Sequence, residues 1–365
     1  MLSQLSYAPV YADTSLCLAT FCIIPYPDRL VNNFFRFFRT FYFDISYRRS
    51  LTVIYLCDII FSKHISRTLE VSTHMETGTD FAPRTDEKAL RRVILELADE
   101  FDKICKQHGL RYMLFAGSAL GAVRHGGFIP WDDDFDVIMP REDYERFLNV
   151  APSELNPSRY FLQCEFSEHW PMTYSKLRRC GTAYIEKFTP KDPLIHQGIF
   201  IDIFPLDRLG RTPLMRAAQY AAARVVTASA LYRRGYATDS LTRRAAMRLC
   251  RRIPQSPLIR LVRGGSVCGK SRMVHTFFAA KARYHRTSYP AEWFEGKRTC
   301  LFEGREYPIP KEIERMLERI YGDYMTPPPP AEQTADRHAV IIDADRPYTE
   351  YLELQQKLFR PNRKK

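Results

Sequence analysis

The chain has 365 residues, 45% hydrophobic and 26% charged, an ordinary globular balance in a length able to bury a substantial core as one large or two modest domains. Its formal net charge of +12 points to an acidic partner: nucleic acid, anionic lipid or a phosphorylated glycan. Nine scattered cysteines, with no CxxC pair and no histidine at zinc-ligand spacing, argue against a disulfide framework or a zinc site and for a reducing compartment, and no apolar run reaches the roughly 18 residues that span a bilayer.

Residues 1–74 differ from the rest. They are rich in Phe, Tyr and Ile, lack a sustained period, and contain the aromatic-basic patch FFRFFRTFYF from Phe34 to Phe43. Three readings stand side by side: a membrane-surface anchor, a poorly ordered extension, or translation that begins at Met75. A signal peptide is disfavoured because no Lys or Arg precedes the first apolar stretch.

From Asp86 to His108, Leu90, Val93, Ile94, Leu97, Phe101, Ile104 and Cys105 recur at helical spacing, with Thr85 as the expected N-cap, Asp86 and Glu87 in the first turn and Gly109 as the stop. This helix leads into MLFAGSALGAVRHGGFIPWDDDFDVIM, Met113 to Met139. The stretch reads as a short strand, a small-residue turn at Gly117 and Ser118, a helical turn, a loop closed by Pro130 and Trp131, and a second strand. On that strand Asp134 and Asp136 share a face while Phe135 and Val137 pack behind them. Carboxylates so placed repel one another and are relieved by a hard divalent cation, Mg²⁺ or Mn²⁺, of the kind that also binds phosphate oxygens. Gly117 allows close backbone approach, and the following turn offers N–H groups and a hydroxyl to a phosphate. The Asp run alone also fits a solvated loop entering an ordinary strand.

Further on, a polar helix is expected over Arg141 to Asn149, a strand over Tyr160 to Gln163, and a hairpin-like pair over Tyr174 to Arg178 and Thr182 to Glu186. Lys176 and Arg178 share a face, as phosphate-binding residues on a sheet or as charges on an exposed edge. GIFIDIFPLD, Gly198 to Asp207, is an apolar strand with Asp202 at its centre. A carboxylate in such a run needs a partner or a metal, which makes Asp202 the third carboxylate of the site unless it is a structural Asp bonded to backbone. Residues 208–290 are Ala-, Leu- and Arg-rich, with Asp239 the sole acidic residue, and read as largely helical with a Gly-rich break at GGSVCGK. This basic region favours an anionic partner or membrane surface over a merely solvated face. Thr299 to Ile309 reads as a hairpin and Lys311 to Tyr321 as a helix stopped by Gly322, followed by prolines and a polar end, 331–365, of low structural signal.

GSALGAVRHGGFIPWDDDFDV, KLRRCGTAYIE, GIFIDIFPLD and FEGREYPIPKEIERMLERIYGDYM resemble, in order, successive blocks of the LicD family of phosphocholine transferases and their fukutin-type relatives. The similarity runs from about Asp86 to Pro330, within an expected catalytic domain of residues 75–330. It leaves out residues 1–74 and matches the basic insert only loosely. The resemblance implies an α/β (α+β) nucleotidyltransferase fold, a mixed sheet flanked by helices, with a basic helical region added. It implies metal-dependent transfer of a phosphorylated alcohol, typically phosphocholine from CDP-choline, to a sugar hydroxyl of a cell-surface glycan such as lipopolysaccharide or teichoic acid. Such glycans are assembled at the cytoplasmic face of a membrane, which suits a basic surface.

In this reading Asp134 and Asp136 hold Mg²⁺ or Mn²⁺. Asp202 completes the site and accepts the proton of the attacking hydroxyl, and Gly117 and Ser118 contact the donor's phosphates. Arg124, His125, Lys176 and Arg178 are candidates for charge stabilisation. Trp131 can stack on a base or a quaternary ammonium, or wedge beneath the loop, and Asp132 and Asp133 are supporting groups or simply loop. Two rivals remain: transfer of the nucleotide itself on the same fold, and a basic nucleic-acid-binding protein. The second is disfavoured because the aromatic residues of 208–290 are not interleaved with the charges and no zinc finger or RNA-recognition motif is present, so no nucleic-acid partner is expected.

Overall fold

The structure, a computed structural model, describes residues 86–236, 238, 240–264, 271–278, 283–333 and 339–359. The expectations for residues 1–74, Met75, Thr85, Asp239 and the break beyond Gly264 lie outside the described residues. Helix α1, Glu87–Gln107, buries every apolar position that its spacing marks. Its cap is Asp86, whose carboxylate accepts the N–H groups of Lys88 and Ala89 at 3.0 and 3.1 Å, so Asp86 caps the first turn rather than joining it. Gly109, at φ 60°, ends the helix.

The chain then alternates strands and helices: β1 Met113–Leu114, α2 Ala116–His125, β2 Asp136–Pro140, α3 Arg141–Glu154, β3 Tyr160–Gln163, β4 Ser175–Arg179, β5 Ala183–Glu186 and β6 Phe200–Arg208. The main sheet runs β1-β2-β6-β4-β3, with β7 Met273–His275 on the far end of β6 and β8 Ser288–Pro290 beside it. β2 and β6 are parallel and the other pairs antiparallel, giving the mixed α/β sheet that the resemblance implies. β6 is buried along all but its last residue because it is paired on both sides and covered on both faces.

The expected hairpin of β4 with β5 does not form. β4 lies between β3 and β6, while β5 pairs with β11, Ala339–Asp343, from beyond the proline run. Two needs separate the strands: Lys176 and Arg178 find their polar partners on β3 and β6, whereas Ala183 and Ile185 bury against Ile341 and Tyr351. The C-terminal segment closes with α8, Leu352–Leu358.

The basic region supplies α4 Pro213–Arg234, α5 Leu241–Cys250 and α6 Gln255–Val262, helical as its composition suggests. Thr212 caps α4 and Pro213 opens it. A buried ion cluster ties this region to the sheet. Arg141, the first residue of α3, grips Asp207 with two nitrogens at 2.7 and 2.9 Å and Glu165 at 2.6 Å, and Arg263 after α6 reaches the same Glu165 at 2.7 Å. Finally the hairpin β9 Arg298–Phe302 and β10 Arg305–Ile309 brings Phe302 and Tyr307 against Phe135, with ring centroids 5.3 and 5.6 Å apart, and α7, Ile313–Tyr321, follows. No helix among the described residues is long and apolar enough to cross a membrane.

Removing Arg141 strands the Asp207 carboxylate in the interior and leaves Glu165 with Arg263 alone. Arg141→Ala is expected to lower unfolding free energy by about 3–5 kcal/mol in urea titration, and a loss under about 1 kcal/mol would refute this account of the cluster. Acid sensitivity has a separate source. Burial holds the His196 imidazole at about 3 and that of His275 at about 4, and each accepts a backbone N–H on Nδ1, from Gly198 and Phe277, a bond that needs the neutral ring. The unfolded chain protonates these rings near 6.5 and the folded chain does not. Their contribution is therefore complete above that pH and is lost as pH falls toward the folded values, at up to about 1.4 kcal/mol per pH unit per ring. Urea midpoints between pH 7 and 4 should fall less steeply for His196→Asn than for the wild type.

Candidate active site

Four neighbouring strands place one polar residue each in a single transverse row. Gln163 on β3 is the register partner of Lys176 on β4, Lys176 of Asp202 on β6, and Asp202 of Asp136 on β2. Register partners project to one face, so these side chains form a continuous polar band across the sheet. Lys176 Nζ meets Asp202 Oδ1 at 2.6 Å, and both side chains are less than a tenth exposed. Two residues along β4, Arg178 donates to Gln163 Oε1 and to the Gly198 carbonyl, each at 2.7 Å. β4 is thus no exposed edge; Lys176 and Arg178 are interior, and Arg179 at its end is half-buried.

Asp134 stands before β2, in the loop that enters it, rather than on the strand itself. Asp132, Asp133 and Asp134 offer carboxylate oxygens that all lie within 4.8 Å of one another. The charge of Asp134 acts on both Asp136 and Asp202, so the two strand carboxylates and the loop share one neighbourhood. Asp133 leans partly away, toward the Ala339 N–H.

The turn into α2 is strained. Ala116, a non-glycine residue, sits at φ 44°, and the chain reverses there between β1 and α2. Gly117 and Ser118 lie in the first helical turn rather than in a separate turn. A side chain at Gly117 would begin 2.5 Å from Asp132 Oδ2, so the glycine makes room for a carboxylate. Ser118 Oγ accepts the N–H of Asp136 at 2.8 Å, which locks the start of β2 to the helix and leaves the hydroxyl proton free to donate.

Electrostatically the site is overloaded with negative charge. Burial pushes the Asp136 carboxyl well up, and Asp134, Asp202 and Asp132 push it further, against a weaker opposing pull from Lys176. Asp132 is raised by burial and then by Asp134 and Asp133. Asp202 is raised by burial despite its lysine. Lys176 itself is brought down to about 8 by burial, and Arg178 to about 10. An all-oxygen donor set with more negative than positive charge fits a hard divalent cation; among the described residues the carboxylates brought to ligand spacing are Asp132, Asp133 and Asp134, while Asp136 and Asp202 share their electrostatic neighbourhood.

The remaining sequence candidates gather at the other end of α2. Arg124 donates to the Tyr324 carbonyl at 2.6 Å and lies 5.9 Å from the Trp131 ring, and the His125 ring meets Trp131 edge-on at 6.2 Å. Trp131, half-buried, packs against the main core, the wedge alternative raised for it. Tyr321, at the end of α7 and 41% exposed, lies within electrostatic reach of both groups, and sequence reasoning missed it. Its phenol is raised by burial and by Asp136, Asp132 and Asp134, while it also acts on Arg124. Nothing in the local pattern of α7 marked it; its place follows from how α7 packs against α2.

The model of the LicD/FKTN/FKRP nucleotidyltransferase domain matches residues 109–207, which hold every carboxylate of the site. The lipopolysaccharide cholinephosphotransferase LicD of Haemophilus influenzae is 26% identical over 254 residues, covering 66% of this chain and 92% of that protein. The ribitol 5-phosphate transferase FKRP of mouse and of human is 44% identical over 52 residues, 14% of this chain and 10% of each relative.

If repulsion dominates the metal-free site, a neutral isostere relieves it. In EDTA at pH 8, Asp136→Asn is expected to be more stable than wild type by on the order of 1 kcal/mol, and to lose the rise in melting temperature that Mn²⁺ produces in the wild type. A variant that melts lower in EDTA would show that Asp136 is a satisfied structural group.

Proposed function

We propose that this chain, whose residues 109–207 match the LicD/FKTN/FKRP nucleotidyltransferase domain, is a phosphotransferase of the LicD type that moves phosphocholine from CDP-choline to a sugar hydroxyl of a cell-surface glycan such as lipopolysaccharide or teichoic acid, at the cytoplasmic face of a membrane. The observation that carries this reading is the register of β2 against β6, which sets Asp136 beside Asp202 with Asp134 acting on both.

Asp134 and Asp136 hold Mg²⁺ or Mn²⁺, and Asp202 completes the set. A cation held there would supply neutralisation of the pyrophosphate charge and orientation of the donor. The chain's own residues do the rest. Gly117 and Ser118, at the start of α2, present N–H groups and a hydroxyl to the donor's phosphates. The acceptor oxygen attacks the choline-side phosphorus, the bond from that phosphorus to the bridging oxygen breaks, CMP departs, and the hydroxyl proton passes to Asp202. Lys176, paired with Asp202, favours its ionised form for that task, and Arg178 braces the sheet beside it. Arg124, His125 and Trp131 bound the donor from the far end of α2.

A donor screen with CDP-choline, CDP-glycerol, CDP-ribitol and nucleoside triphosphates, with Mg²⁺ or Mn²⁺, tests the reading. CMP release from CDP-choline is expected, reduced on the order of a thousandfold in kcat/KM by Asp136→Asn. Pyrophosphate released from a triphosphate would instead assign nucleotidyl transfer.

A further inference from the structure

Positive charge is distributed very unevenly along this chain. Residues 208–290 carry eighteen Lys and Arg against one Asp, a local +17, so the rest of the chain is net −5. Some of these cations are absorbed internally: Arg224 bonds the Phe277 carbonyl, Arg234 pairs with Glu186, and Arg263 with Glu165. Others are not.

Helix α5 packs Met247 and Cys250 inward, and Ile253 after it is buried too. The opposite side shows Leu241, 75% exposed, then Arg244, Arg248, Arg251 and Arg252. These positions follow the three-to-four residue step of a helix, and Arg251 keeps helical dihedrals, so they form one stripe. None of the four arginines meets a carboxylate among the described residues.

The stripe continues into an open groove of about 410 Å³ lined by Lys191, Tyr232, Arg233 and Arg251, together with Pro171, Glu168 and Asp192. Asp192 is already engaged by His169 at 2.9 Å. Lys191 Nζ lies 3.5 Å from the Tyr232 ring centre and donates to the Tyr232 carbonyl, while the Arg251 guanidinium stands 5.1 Å from the same ring. Tyr232 therefore holds two cations at the groove's edge. Arg233 faces outward next to Arg234, which is buried against Glu186 behind the polar row, so the surface is anchored on the site's own layer.

We infer that this face, α5 with the Lys191–Arg233–Arg251 groove, docks the protein on a bilayer bearing anionic lipids, the stripe lying along the headgroups, Leu241 reaching the acyl boundary and the groove seating a lipid phosphate. A stripe of arginines without a carboxylate partner among the described residues, with one exposed leucine, matches a diffuse anionic plane; a base-stacking partner would need free aromatic faces, and the ring that lines the groove, Tyr232, is occupied by cations. The inference rests on charge and exposure alone and stands whatever group the enzyme transfers.

The test is co-sedimentation of the full chain with vesicles of phosphatidylglycerol and phosphatidylcholine, and with phosphatidylcholine alone, at low and high salt. The wild type is expected to bind the anionic vesicles, to be released by 0.5 M NaCl, and to ignore phosphatidylcholine. Replacing Arg244, Arg248, Arg251 and Arg252 by Gln should weaken binding on the order of fivefold per arginine, with the melting temperature kept. A control with Lys88, Arg92, Lys297 and Arg315 replaced by Gln, equal in charge lost, should bind as the wild type does. Equal loss in both variants would reduce the effect to net charge and overturn the inference. So would undiminished binding of the α5 variant, or a single-stranded oligonucleotide that displaces the protein from the vesicles.

Discussion

Two parallel strands set Asp136 and Asp202 side by side, and the repulsion that follows is the constraint around which the centre of this molecule is arranged. Acidic groups withdrawn from water raise one another's pKa, and here a loop adds Asp132 and Asp134 to the pair. One lysine, Lys176, answers them from inside the sheet. The fold tolerates such a deficit of positive charge because the surrounding backbone is over-determined. Ser118 holds the Asp136 N–H, Phe115 donates to the Asp136 carbonyl, and the Asp202 N–H bonds the Phe135 carbonyl. Beneath the loop, Phe128, Phe135, Phe302 and Tyr307 interlock as edge-to-face rings. Rigidity at the carboxylates is what a site of fixed charge requires, and it is supplied by apolar packing behind them.

Buried ion pairs also explain how a region so different in composition belongs to the same body. The helices of 213–262 are tied to the rest of the fold by Arg234 to Glu186 on β5 and by Arg263 to Glu165 after β3, with Arg141 and Asp207 completing the second cluster. Pairs of this kind add little net stability over apolar contacts, yet they are sensitive to geometry and so fix how the insert is seated. The cations left over face solvent on the other side of the same helices. Inner pairing and outer surplus are two uses of one arginine-rich sequence.

Much of this was legible beforehand. The amphipathic period of α1, the helix α7, the hairpin β9–β10 and the burial of β6 follow from local pattern, since each rests on spacing that the chain carries within itself. The chemical character of the site was legible too, because carboxylates among Phe, Ile and Val have few structural uses. Other features were not. Lys176 and Arg178 fit an exposed edge as well as a buried centre, and only the neighbours of β4 decide between them. The partner of β5 lies more than 150 residues on, in a segment with little pattern of its own.

By itself the sequence determined which residues would be acidic and confined: a glycine-serine entry to a helix, a run of aspartates before a strand, and one more aspartate inside an apolar strand. Periodicity and the cost of a lone buried charge are local properties, so a linear chain can express them. Only the tertiary structure decided that Asp136 and Asp202 are register partners, that Lys176 is their counter-charge, that Asp132 fills the space Gly117 leaves and that the Tyr321 phenol comes within reach of their charge. Those relations depend on strand order and helix packing, which arise from contacts between distant segments and leave no periodic trace along the chain.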